Sequence, residues 1–276
     1  MRHNVLVIGC SHLSCAYDKN DHNIGPETYA WHLRKMHGNV DRFVTIPNPA
    51  QGIIKYAAII EHLDRNKLLS QFSHCIIQMT DEPRTVFMDN QENEFYEKLP
   101  EFLNTDSDFV DGNKIQTSPS AAVLSAVPRY VFEKYQDKFV QATKLGWFKK
   151  TEFDMDMRDN FLDVVNIISP SLKTSNTAKA FLPISYSYIK RTLRRNNIRM
   201  ASFDWWGKSA EQNESLANIK GNEYILPDDK AIFNLMWEKQ LWVREEQSNL
   251  GHMNGKQSRQ VAEILKEHLD NAYFFE

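Results

Sequence analysis

Val5, Leu6, Val7 and Ile8 form an unbroken apolar run that stops at Gly9 and turns polar at Ser11 and His12. A continuous run of this length predicts a strand buried on both faces of a parallel sheet. Residues 18–25 are polar and predict a loop. Pro26 and Glu27 open a helix in which Tyr29, Leu33 and Met36 recur at helical spacing, and Gly38 closes it. A second strand is predicted at 43–46, stopped by Pro47, Asn48 and Pro49. Gly52 then precedes a helix with Ile53, Tyr56, Ile59, Ile60 and Leu63 on one face. A third strand spans 72–79 and ends at Thr80, Asp81, Glu82 and Pro83.

Strand, helix, strand, helix and strand at this spacing predict right-handed parallel crossovers. The fold class expected is α/β, a three-layer α/β/α sandwich with a flavodoxin-like, mostly parallel sheet. Between about 85 and 177 the pattern changes to helical pieces at 93–103, 128–142 and 159–168, separated by polar turns, which reads as a mostly helical insertion. The sheet pattern then resumes. A helix is expected at 186–196, a fourth strand at 198–203 with Asp204 at its tip, and a turn at Trp205, Trp206 and Gly207. A short strand at 224–226 and a terminal helix at about 256–269 follow. No internal repeat or Gly/Ser-rich linker divides the chain, so residues 1–276 are expected to form one domain.

Composition narrows the function. The chain has 276 residues, 42% of them hydrophobic, and a net charge of −3, which gives no argument for a nucleic-acid or membrane-surface partner. The basic set Lys190, Arg191, Arg194, Arg195 and Arg199 reads as a solvated helix face. No apolar stretch reaches membrane-span length, and the run after Met1 is too short for a signal-peptide core, so the expected location is cytoplasmic. Cys10, Cys15 and Cys75 are an odd number without CxxC spacing, which suggests buried free thiols. Neither a phosphate loop nor a Gly-x-Gly-x-x-Gly turn occurs, and no cluster has zinc spacing; no cofactor or metal is expected.

In open α/β sheets ligands sit beyond the carboxyl ends of the strands. Ser11, the 48–52 turn and residues 78–84 therefore converge there. A serine on a sharp turn after a strand, with backbone amides starting the next segment, has the placement of a nucleophile. Its alternative is a turn serine that caps the backbone. His252, just before the terminal helix, is the candidate general base.

Four ordered blocks resemble those of the SGNH/GDSL hydrolase superfamily. They read Gly9-Cys10-Ser11, Gln51-Gly52, Gln78-Met79-Thr80-Asp81 and Asn249-Leu250-Gly251-His252. The resemblance implies Ser11 as nucleophile, His252 as base, and an oxyanion hole from Ser11, Gly52 and Thr80. It departs from the family at three positions: Cys10 stands for aspartate, Thr80 for the oxyanion asparagine, and Asn249 for the aspartate that orients the histidine. Asn249 is thus the third candidate catalytic residue, but asparagine can orient an imidazole and supplies no charge, so the base is expected to act in a Ser–His dyad helped by a backbone carbonyl, or with a carboxylate from elsewhere such as Asp204. Gln78 and Arg84 are candidate substrate-binding residues, and Trp205-Trp206 reads as core packing or a stacking wall. The function implied is hydrolysis of an ester-linked acyl group on a small molecule or carbohydrate. The alternative is a binding protein that keeps the pocket with little or no catalysis.

Overall fold

The computed structural model describes residues 3–18, 20, 22–48, 52–79, 90–112, 175–205, 219–227, 230–241 and 252–276. Strand β1 (His3–Gly9) runs into a 3-10 turn at Ser11–Leu13. The stretch expected as a loop instead forms an antiparallel hairpin, β2 (Ala16–Tyr17) with β3 (Asn23–Gly25). Local polar bonds build it: the Asp18 carboxylate accepts from the backbone amides of Asn20 and His22, and Gly25 supplies a φ of 147°.

Helix α1 (Tyr29–Met36) begins later than Pro26, because the Thr28 side chain caps it by accepting from the Trp31 amide. Strand β4 (Val40–Pro47), helix α2 (Ile53–Arg65) and strand β5 (His74–Met79) follow as expected in order. Next come α3 (Asn90–Leu103) and β6 (Phe109–Asp111), then α4 (Ser175–Arg195) and β7 (Arg199–Asp204). Helices α5 (Ile232–Glu238) and α6 (Gly255–Asn271) complete the chain.

The five main strands stand in the order β6-β4-β1-β5-β7, and every pairing is parallel. Ignoring β6, this is the flavodoxin-like arrangement, with β1 flanked by the second and third strands. Strand β6 departs from expectation. The segment read as a helical insertion supplies an extra edge strand, pairing Phe109, Val110 and Asp111 with Phe43, Val44 and Thr45. Three residues with one buried side chain are too short for a period-2 pattern to stand out. The expected helices at 128–142 and 159–168 lie outside the described residues.

Alternation along β1 divides the core. Leu6 and Ile8 pack with α2, α3 and α4, whereas Val5 and Val7 pack with α1, α5 and α6. This is the three-layer sandwich. Helix α4 runs through Pro183, where the pattern predicted a start only at 186. Leu182, Tyr186, Ile189 and Leu193 are buried at helical spacing in the core shared with α2, and that burial outweighs the roughly 3 kcal/mol local penalty of an internal proline. The basic face of α4 is solvated and partly ion-paired, Lys190 with Glu223 at 2.7 Å and Arg195 with Asp64. The expected strand at 224–226 is a single parallel bridge between Ser202 and Tyr224. Among the described residues, no helix is long and apolar enough to cross a membrane.

Candidate active site

Strand β1 delivers Gly9 to the carboxyl edge of the sheet, where the Asn48 amide donates to the Gly9 carbonyl at 2.6 Å. Extended Cys10 then tips the chain into the 3-10 turn. The Leu13 amide donates to Cys10 O and the Ser14 amide to Ser11 O. Ser11 is therefore the first residue of a turn whose earliest amides have no partner within it.

A buried side chain supports this turn from below. Gln78, on β5, is fully buried. Its Oε1 accepts from Tyr29 Oη at 3.0 Å, and its Nε2 donates to Cys10 Sγ at 3.2 Å. Burial raises the Tyr29 phenol well above its ordinary pKa, so the hydroxyl stays protonated and donates. The amide lies directly against Gly9: a Cβ on that glycine would sit 2.2 Å from Gln78 Oε1. Gln78 was a candidate for contacting substrate. Its burial and its bonds to Tyr29 and Cys10 make it a support of the turn that carries Ser11.

At the other end of the chain, Asn254 caps α6. Its side chain accepts from the Gln257 amide, and the Gln257 side chain accepts from the Asn254 amide. Met253 is buried in the core beneath α6, and its carbonyl accepts from the Tyr17 amide at 3.0 Å. His252, one residue earlier, is thereby carried over the sheet edge. Its Nε2 lies 3.0 Å from Ser11 Oγ, within hydrogen-bond reach, although 241 positions separate the two in sequence.

Aromatic rings surround this imidazole. Tyr17 stacks on it with centroids 4.3 Å apart and planes 19° from parallel. His12 approaches it edge-on at 5.4 Å, and itself stacks on Trp205 at 4.3 Å. Trp205 is buried in the core, as the packing alternative held; Trp206 lies outside the described residues. Tyr17 carried no sequence signal beyond being an aromatic residue six positions after Ser11.

The other expected residues are less fully placed. Gly52 caps the amino end of α2 after β4, the strand next to β1, so its backbone belongs to the same sheet edge. Asp204 ends β7 on the face opposite Phe203, and its carboxylate pairs with Lys220 at 3.9 Å, both side chains nearly buried. Thr80, Arg84 and Asn249 lie outside the described residues. All three cysteines are free and buried; burial pushes the Cys15 thiol up to about 11 and the Cys75 thiol higher still.

The arrangement is thus a parallel α/β/α sheet with a serine hydroxyl hydrogen-bonded to a histidine above its carboxyl edge. No family model, curated protein or solved structure matches the chain.

Proposed function

We propose that this protein is a serine hydrolase of the SGNH/GDSL kind that cleaves an ester-linked acyl group through Ser11 and His252. The observation that carries the proposal is the 3.0 Å contact between Ser11 Oγ and His252 Nε2 at the carboxyl edge of the sheet. With its proton on Nδ1, neutral His252 accepts the Ser11 proton at Nε2 as Oγ attacks the ester carbonyl. The negative charge that develops on the carbonyl oxygen is met by the Ser11 amide, with Gly52 as a second backbone donor. As the tetrahedral adduct collapses, the ester C–O bond breaks, and the imidazolium returns its proton to the departing alkoxide. Water, deprotonated by the same imidazole, then cleaves the acyl–serine ester and regenerates Ser11.

The chemistry needs a small ester, such as an acetylated alcohol or carbohydrate, whose carbonyl carbon reaches Ser11. The test is hydrolysis of p-nitrophenyl acetate by wild type, Ser11→Ala and His252→Ala. Loss of turnover in both variants is expected, with folding unchanged. Equal background rates in all three would overturn the proposal and favour a binding protein that keeps the pocket.

A further inference from the structure

The Ser11–His252 pair leaves open how a histidine ahead of the first turn of α6 keeps a productive orientation and bears positive charge in the transition state. We propose that Tyr17 is the residue that positions His252, using its ring as a platform for the imidazole and the β2 backbone as the anchor of that platform. The inference rests on the Ser11–His252 reading above and deepens it.

Two contacts converge on Tyr17. Its ring lies nearly parallel to that of His252, 4.3 Å away and 19° from coplanar. Its amide donates to Met253 O at 3.0 Å, so ring and backbone grip consecutive residues of one segment. The backbone bond thus holds Tyr17 to the segment that carries His252, with one ring face against the imidazole.

The chemical consequence follows from the stack. An aromatic face attracts a cation, and an imidazole forms one each time it takes the Ser11 proton. Stacking therefore favours the transition state over the neutral ground state, which raises kcat more than it changes KM. It also restricts the imidazole plane, so that Nε2 faces Ser11 Oγ. Among the described residues, Ser11 Oγ lies 3.0 Å from the imidazole and the His12 ring 5.4 Å from it, and a charged His12 would oppose a second positive charge.

The experiment compares Tyr17→Phe, Tyr17→Leu and Tyr17→Met in the full chain. It measures p-nitrophenyl acetate kinetics against pH and follows the His252 and His12 imidazole resonances by NMR titration. Tyr17→Phe keeps the ring and is expected to hold kcat within about threefold of wild type. Tyr17→Leu is expected to lower kcat about tenfold with KM little changed, and to move the His252 titration down by roughly half a unit. Tyr17→Met, also without a ring, supplies the same comparison where the leucine variant fails to fold. Unchanged kcat and unchanged His252 titration in a folded ring-less variant would overturn the role of Tyr17. Equal losses in the phenylalanine and ring-less variants would also overturn it, by assigning the effect to the hydroxyl. The NMR titration does not depend on turnover. Should Ser11→Ala and His252→Ala leave hydrolysis unchanged, the hydrolase reading fails, while the titration still decides whether Tyr17 holds the imidazole.

Discussion

Adding one methyl group at Gly9 tests the support beneath the Ser11 turn. In Gly9→Ala the new Cβ would lie 2.2 Å from Gln78 Oε1, 3.0 Å from its Cβ and 3.1 Å from its Cδ. Gln78 has no solvent-exposed surface and is bonded at both ends of its amide, so relief requires the amide to move by about 1 Å into packed core. That movement strains or breaks the bond from Tyr29, whose hydroxyl is buried. A buried polar group left unpaired costs about 1–3 kcal/mol, and overpacking costs about as much again. A total near 3 kcal/mol corresponds to a fall in Tm of roughly 6–12 °C for a chain of this size. The same displacement reaches Ser11 two residues later, and under the proposed chemistry a shift of about 1 Å there is expected to lower turnover by roughly two orders of magnitude.

The assay is calorimetric unfolding and p-nitrophenyl acetate hydrolysis for Gly9→Ala, Gln78→Ala and the double variant. Gln78→Ala alone should destabilise, because it orphans the Tyr29 hydroxyl. In the double variant, the alanine methyl enters space that the amide has left. The double variant is therefore expected to be more stable than the sum of the two losses by at least about 1 kcal/mol, the range found for residues in contact. Gly9→Ala with wild-type Tm and turnover, or a strictly additive double variant, would refute this account of the turn.

Two further outcomes can be measured. Burial, and secondarily the neighbouring His3, lower the His74 pKa from 6.5 to about 4. The fold therefore favours neutral His74; stability is full above pH 6.5 and falls as the pH drops from 6.5 through 4, because the unfolded chain binds the proton first. Urea midpoints should decline across that window, and His74→Phe should flatten the slope; an equal slope in both would count against the assignment. Asn249→Asp places a carboxylate where the resembling family carries one. It is expected to raise kcat and move the acid limb of the pH–rate profile upward, and an unchanged profile would show that residue 249 does not act on His252.

The pattern of apolar runs was sufficient for β1, β4, β5, β7 and the helices between them, because long buried strands and amphipathic helices write their periodicity directly into sequence. Short elements escaped. The β2–β3 hairpin rests on bonds from Asp18, and β6 rests on pairing with β4; neither is a periodic signal. The site divided in the same way. Ser11 and His252 were legible from their places at the ends of elements, and the structure brings them together. Gln78 was legible as a residue at the sheet edge but not as a buried one, because its direction depends on the space left by Gly9. Tyr17 was illegible, since a ring stack between a hairpin and a distant segment ahead of α6 leaves no mark in local spacing.

The 241 positions between Ser11 and His252 give the pair a second use. Closing a loop of that length is entropically costly, and β1 and α6 meet only through contacts far apart in sequence. A cut at any bond between the two residues leaves each fragment with only one of them. If the pair acts as proposed, hydrolysis recovered on mixing such fragments would count docked molecules rather than folded pieces, making turnover a reporter of their assembly.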